Sequence, residues 1–236
     1  MITDKYSISL FFPCYNEEAN VETQTLKSID VLSSVTDDYE VIIVNDGSKD
    51  RTREIADSLV QQYPTEVKVI HHPTNLGYGA ALQSGFRAAS KNLVFYTDGD
   101  GQFDISEMPA LLKFIPEFDI VSCYRLNRQD GFMRKVNAFC WGTLGNILFR
   151  FGLRDVDCAF KLYKREIFDN IKMQSTGALI DTEILARAKR KGYKIKQVGV
   201  HHYPRAAGTQ TGAKISVILR AFRELFVLYR QIIKDA

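Results

Sequence analysis

Only four cysteines, one tryptophan and six prolines occur among the 236 residues, and no apolar run reaches the roughly 18 residues that a membrane-spanning helix needs. Cys14, Cys123, Cys140 and Cys158 form no Cys-x-x-Cys pair, which argues against zinc or dithiol chemistry and for reduced, buried thiols. The opening residues, MITDKYSISLFF, have a short apolar stretch and no small-residue cleavage site, and so read as a strand rather than a secretory signal. No repeat, low-complexity tract or Pro/Gly-rich linker divides the chain. The expected location is the cytoplasm, either free or peripherally on the cytosolic face of a membrane.

With 45% hydrophobic and 25% charged residues, the chain can bury one full-sized core and belongs to neither the disordered nor the fibrous classes. The formal charge of +3 hides an asymmetry: residues 186–236 hold 12 Lys/Arg against only Glu224 and Asp235, while residues 1–185 hold 19 against 26 acids. An acidic body with a basic tail suits contact with a membrane or another polyanion. Nucleic acid is a poor fit, because the basic excess is concentrated in one tail beside an acidic sheet edge.

Short β-branched runs alternate with stretches of helical period, the pattern of a parallel sheet covered by helices. Strands are expected at Ser7–Pro13, Glu40–Asn45, Val67–His72, Leu93–Asp98 and Asp119–Cys123, with helices over Glu17–Ser34, Arg51–Gln62, Gly79–Ala89 and Ser106–Phe114. Ser48 and Asp50 supply capping side chains before the second helix. Further on come an apolar helical stretch, Met133–Phe151, a helix at Leu179–Lys191 and a strand at Lys194–Val200. The expected division is a catalytic domain over 1–212 and a tail helix over 213–236.

Ligands of open parallel sheets bind beyond the carboxyl ends of the strands, and here four successive ends are rich in carboxylates, amides and glycines. They read Pro13-Cys14-Tyr15-Asn16-Glu17-Glu18, Asn45-Asp46-Gly47-Ser48, Asn75-Leu76-Gly77-Tyr78-Gly79 and Asp98-Gly99-Asp100-Gly101-Gln102. Each alone could be an ordinary turn or helix start; four in register point to a site. Asp98 and Asp100 can aim oxygens at one point, which suits Mg²⁺ or Mn²⁺ shared with a diphosphate, and Gln102 could add a neutral oxygen. An EF-hand begins similarly, but the twelfth position from Asp100 is Leu111 and no helix precedes it.

PCYNEEANV, VNDGSKDRT, NLGYGAAL and TDGDGQFD, in this order and spacing, resemble the family 2 glycosyltransferases of GT-A fold, especially the dolichol-phosphate mannose synthase and polyprenyl-phosphate branch. The resemblance covers about residues 7–212. It implies a Rossmann-like, mostly parallel α/β sheet with helices on both faces, followed by the C-terminal amphipathic helix. It also implies that Pro13, Tyr15, Asn16 and Glu17 cradle the nucleoside, that Asp46 contacts base or ribose, and that Asn75, Gly77 and Gly79 let backbone approach the nucleotide. Asp98 would face ribose or metal-bound water, with Asp100 and Gln102 on the metal.

For the acceptor, the resemblance assigns phosphate contacts to Arg125 and Arg128 after the fifth strand. Asp155-Val156-Asp157-Cys158-Ala159-Phe160-Lys161 matches a family segment that ordinarily ends in Gly-Phe-Arg, so Lys161 keeps the charge and loses the bidentate fork. Asp181 and Glu183 lie where relatives place a general base, which a hydroxyl acceptor needs and an anionic lipid phosphate does not. Arg205, with Lys214 beyond, belongs to a loop that closes over the donor diphosphate, and His202 could join the leaving phosphate; two adjacent strand histidines, His201 and His202, face opposite ways and make no paired metal site.

In the tail, Ile215, Ile218, Leu219, Phe222, Leu225, Phe226, Tyr229, Ile232 and Ile233 form a stripe of helical period, with Arg220, Arg223, Arg230 and Lys234 largely off it. The stripe admits three partners: an anionic membrane surface, the protein's own core, or a second copy of the chain in a homodimer. The expected function is a metal-dependent inverting transfer of a hexose from a GDP- or UDP-sugar to a polyprenyl or dolichyl phosphate. The alternatives are a soluble transferase acting on a saccharide or protein hydroxyl, and a non-catalytic nucleotide-sugar binding protein.

Overall fold

A computed structural model of the protein describes residues 6–126, 143–150, 152–204 and 215–235, the last segment with side chains from residue 224 onward. Ile8–Cys14 (β1), Tyr39–Asn45 (β2), Val67–His71 (β3), Leu93–Thr97 (β4), Ile120–Leu126 (β5), Phe160–Lys164 (β6) and Ile195–His201 (β7) form one seven-stranded sheet in the order β3-β2-β1-β4-β6-β5-β7. The helices are Val21–Ser33 (α1), Thr52–Gln62 (α2), Tyr78–Ala88 (α3), residues 143–149 (α4), Glu166–Asn170 (α5), Ile180–Arg190 (α6) and Ile215–Lys234 (α7). β1 pairs in parallel with β2 and β4, β2 with β3, and β5 with β7. Only β6 among these strands runs antiparallel, wedged between β4 and β5.

Four elements depart from the sequence expectation. β6 and the short α5 behind it were not anticipated, because Lys161 interrupts what would otherwise read as an apolar run. Ile105–Phe114 is a 3-10 helix: Pro109 has no N–H to give an α-type bond. α1 starts at Val21 rather than Glu17, since the Glu17 carbonyl accepts from both Asn20 and Val21 N–H groups in a turn. Of the stretch Met133–Phe151, residues 133–142 and 151 lie outside the described residues.

The sheet is buried on both faces, as parallel strands require. On the α3 side, Phe11, Phe86, Tyr96, Tyr163 and Phe168 interlock edge-to-face and stacked, with centroids 4.2–6.4 Å apart. Alternation sends Phe95 and Phe160 to the other face, where Phe103 meets them. Cys14, Cys123 and Cys158 are buried free thiols.

In α7, Leu225, Leu228 and Ile232 are buried, Tyr229 packs edge-on to Phe149 at 5.7 Å, and Asp235 pairs with Arg187 of α6 at 2.7 Å. This half of the tail stripe therefore docks on the protein itself. Phe226, Val227 and Ile233 stay exposed, as do Arg230 and Lys234. No helix among the described residues is long and apolar enough to cross a membrane.

Glu40 is the polar tie that fixes the β1–β2–β4 end of the sheet. Its buried carboxylate accepts from the hydroxyls of Ser9 and Ser90, the Ser90 N–H and the Lys68 ammonium. Burial alone would raise its pKa; these bonds outweigh burial and hold it at about 2. The contribution, about 3 kcal/mol from the shift, is complete above the ordinary glutamate range and disappears as pH falls toward 2. Glu40→Gln should lose about 2–3 kcal/mol in urea unfolding at pH 7, and its deficit against the parent should shrink steadily below pH 4.3.

Candidate active site

The ends of β1 and β2 are knitted together before any ligand is considered. The Asn16 N–H donates to Ser48 Oγ at 3.0 Å and Asn16 Oδ1 accepts from Lys49 N–H at 2.8 Å. The Glu17 N–H donates to Thr52 Oγ1, the Glu18 N–H to Asp50 Oδ2, and the Arg51 N–H to Glu18 Oε2. Asn16 adopts a left-handed φ of 56°, which asparagine tolerates. Asp50 also accepts from Thr52 N–H and Oγ1, so it caps the start of α2, as expected, while Ser48 serves Asn16 instead.

Asp46 is the hub of the next layer. Its Oδ1 accepts from the Leu76 N–H at 2.9 Å and from His72 Nδ1 at 2.6 Å, and its Oδ2 from the Gly77 N–H at 2.9 Å. His72 Nδ1 must carry the proton, because a carboxylate only accepts; Nε2 meets Ser84 Oγ at 2.9 Å. Asp46 thus holds the 75–77 turn, which was not foreseen from sequence. The nearby Gly79 also makes a close approach within the protein. A Cβ at Gly79 would stand 2.5 Å from the Gly177 carbonyl oxygen and 2.6 Å from that of Ser175, so the close approach is to the protein's own 175–177 loop.

Between these layers lies a cleft of about 640 Å³, walled by Pro13, Tyr15, Asn16 and Glu17 from the first strand end, by Asp46 and Asn75, by Tyr78 and Ala81 of α3, and by Asp98, Gly99 and Asp100. A side chain at residue 99 would collide with the Pro13 carbonyl oxygen at 2.6 Å, so glycine lets the two aspartates press against the first strand end. Asp98 Oδ1 accepts from the Tyr78 hydroxyl at 3.1 Å. Partial burial and the charge of Asp100 push the Asp98 carboxyl up to about 7, against the lowering effect of that hydrogen bond.

Behind the cleft, Lys161 is fully buried. Its ammonium donates to Asp181 Oδ1 at 2.7 Å, the Cys158 carbonyl at 2.6 Å and the Tyr96 hydroxyl at 2.9 Å, and Tyr96 in turn donates to Asp181. Lys161 is therefore a structural cation and not an exposed phosphate ligand. Glu183 is likewise fully buried, accepting from the Gln174 and Ser175 N–H groups and from Arg187; it organises the loop before α6 rather than standing as a base. Asp157 was overlooked in the sequence. Although open to water, it is desolvated enough by the surrounding protein, and repelled enough by Asp181, to be pushed up to about 6.

The remaining candidates divide similarly. Arg125 makes a bidentate pair with Asp155, Nε and Nη2 each at 2.8 Å, so its fork is filled by protein. Gln102 does not wall the cleft: its amide donates to the Tyr203 carbonyl and its N–H to Asp100 Oδ1. His202 packs against Phe103 at 5.0 Å between centroids, while His201 faces Glu107. Arg128, Arg205 and Lys214 lie outside the described residues.

A protein-family model described as Glycosyl transferase family 2 matches residues 9–172, which include every strand-end motif above. The chain belongs to glycosyl transferase family 2. Among curated family 2 relatives, it is 32% identical over 211 residues to dolichyl-phosphate beta-glucosyltransferase ALG5A of Trichomonas vaginalis, covering 82% of this chain and 64% of that one. It is 30% identical over 169 residues to dodecaprenyl-phosphate galacturonate synthase of Rhizobium johnstonii, covering 70% and 50%. The chain thus spans less than two thirds of the length of these relatives. The mannosyltransferase PcManGT of Pyrobaculum calidifontis, solved with GDP-Man and Mn²⁺, superposes with a TM-score of 0.68 at 20% identity, covering 99% of this chain and 66% of that one. This shared architecture establishes the GT-A-like fold for the family 2 chain.

The Asp46 hub can be tested without any substrate. Asp46→Ala should leave the Leu76 and Gly77 N–H groups without their acceptor, lower stability by about 2–4 kcal/mol, and abolish hydrogen-exchange protection at those two amides.

Proposed function

We propose that the protein is an inverting transferase that moves a hexose from a nucleoside-diphosphate sugar to a polyprenyl or dolichyl phosphate with the help of a divalent cation. The observation that carries this reading is electrostatic: among the described residues, every side chain walling the cleft is neutral or acidic. A diphosphate needs a cation to enter it. Asp98 and Asp100 fit Mg²⁺ or Mn²⁺: they are two hard carboxylates whose mutual repulsion already disfavours the ionised pair, and they leave the rest of an octahedral shell to diphosphate oxygens and water. Among the described residues no group of three or more His, Cys, Asp or Glu side chains gathers as a metal cage, which suits an ion held jointly with substrate. When bound, such an ion neutralises charge on the departing nucleoside diphosphate. The GDP-Man and Mn²⁺ bound by the Pyrobaculum relative support this reading.

The acceptor follows from what the buried acids are doing. Asp181 is held by Lys161 and Tyr96, and Glu183 by Arg187 and two backbone N–H groups, so neither is placed to take a proton. A phosphate monoester with a second pKa of about 6 is already anionic at pH 7 and needs no base. Its oxygen attacks the anomeric carbon from the side opposite the diphosphate; the bond from that carbon to the diphosphate oxygen breaks, and the electron pair leaves with the nucleoside diphosphate. Names of the Trichomonas and Rhizobium relatives support the lipid-phosphate acceptor. Arg205, Lys214 and Arg128 are assigned to the phosphates on the resemblance. A saccharide or protein hydroxyl is the second reading, which would need a carboxylate on the acceptor side to serve as base.

Incubation with GDP- and UDP-sugars, Mg²⁺ or Mn²⁺ and a short polyprenyl phosphate should yield lipid-linked sugar, and Asp100→Ala should reduce the rate by at least about 100-fold. Nucleotide release only with saccharide acceptors would overturn the lipid reading in favour of the second.

We also assign peripheral contact with an anionic membrane, from its cytosolic side, to the outer face of α7, where Phe226 and Ile233 are exposed beside Arg230 and Lys234. Apolar residues among cations suit the headgroup boundary. Phe226→Asp with Ile233→Asp should abolish co-sedimentation with phosphatidylglycerol vesicles. A dimer in solution that the same pair of changes dissociates would assign the face to a second copy instead.

A further inference from the structure

We propose that Tyr78 is a positioning residue for the divalent cation, anchoring the Asp98 carboxylate in one orientation against the rigid interior of the sheet. The inference rests on the reading of Asp98 and Asp100 as the cation-binding pair, and adds to it a residue outside the acidic motif.

The geometry is a chain of hydroxyls running from the cleft into the core. Tyr78, the first residue of α3, walls the cleft and donates to Asp98 Oδ1 at 3.1 Å. Its hydroxyl lies near that of Tyr96, whose own proton goes to Asp181. Tyr96 is fully buried, and its oxygen accepts from Lys161 at 2.9 Å. Lys161 sits opposite Tyr96 in the β4–β6 register, and its ammonium is pinned by the Cys158 carbonyl and Asp181. Each hydroxyl has one proton. That of Tyr78 goes to the carboxylate, which can only accept, and that of Tyr96 goes to Asp181.

The consequence for Asp98 is directional. Asp98 follows the last residue of β4 and lies beside the like charge of Asp100, so an unbraced carboxylate would swing away from its neighbour to lower the repulsion. With Oδ1 held by Tyr78, that rotation is closed to Asp98 and one carboxylate orientation is kept beside Asp100. Hydrogen bonds of this kind to metal-binding groups commonly change metal affinity by about 10- to 100-fold when removed.

Tyr78→Phe removes the one oxygen and keeps the ring that packs at the start of α3. Mn²⁺ binding to the full chain, followed by loss of the free-ion electron paramagnetic resonance signal with saturating UDP or GDP present, should weaken by about tenfold or more in Tyr78→Phe, with the melting temperature changed by less than about 3 °C. Unchanged Mn²⁺ affinity in Tyr78→Phe, when Asp100→Asn abolishes binding, would overturn the inference and leave the cation site standing. Mn²⁺ binding absent from the parent, or unaffected by Asp100→Asn, would overturn the cation site and the inference with it. A weakened affinity accompanied by a larger fall in melting temperature would make Tyr78 a packing residue and also overturn the inference.

Discussion

The buried ammonium of Lys161 is the constraint around which the catalytic half of the molecule is arranged. An unpaired charge at zero exposure would cost several kcal/mol, so three oxygens must be delivered to one point inside the sheet. That requirement brings together the turn at Cys158, the centre of β4 through Tyr96, and the first turn of α6 through Asp181. It also explains why β6 can run antiparallel between β4 and β5: Phe160 fills one face of the sheet while Lys161, one residue on, joins the polar network on the other.

A second arrangement runs through the strand ends. Most of the motif acids are engaged by the protein's own donors: Asp46 by the 75–77 turn, Glu18 and Asp50 by each other's loops, Asp155 by Arg125, and Asp181 by Lys161. Asp98, raised by burial and by Asp100, and Asp157, raised by desolvation and by Asp181, are poised differently. The acids therefore fall into a group that builds the strand-end scaffold and a smaller group left with raised carboxyls, Asp98 in the cleft wall and Asp157 outside it. This distinction depends on which backbone N–H groups happen to lie opposite, and residue type carries no trace of it.

That is why the strands were legible in the sequence and the division of labour was not. β1, β2 and β4 are buried on both faces and so appear as apolar runs, β3 at the sheet edge keeps enough β-branched residues to be seen, and their polar ends mark the site whatever each acid does there. β6 was hidden by its central lysine, and its register with β4 is a long-range fact. Asp46 and Gly79 also serve the protein itself, Asp46 by holding the 75–77 turn and Gly79 by passing close to the 175–177 loop, because a turn that binds a nucleotide and a turn that braces a loop use the same residues. Arg125 was read as a phosphate ligand because its partner, Asp155, is distant in sequence. Asp157, two residues further along, was passed over for the same reason: its neighbours in space are not its neighbours in the chain.

The electrostatics of the cleft have a thermodynamic consequence. Its walls carry acids and, among the described residues, no cationic side chain, so a divalent ion arriving first meets a favourable field and a diphosphate arriving first an unfavourable one. A divalent ion alone has two carboxylates and water; a diphosphate alone meets repulsion from both. Each supplies what the other lacks, so their binding must be mutually reinforcing, and by linkage the factor by which the ion strengthens nucleotide binding equals the factor by which the nucleotide strengthens ion binding. On the proposed function, donor and cation would enter such a site as a unit, and once the diphosphate has lost its sugar, release of the ion and of the nucleotide would be bound to each other in the same way.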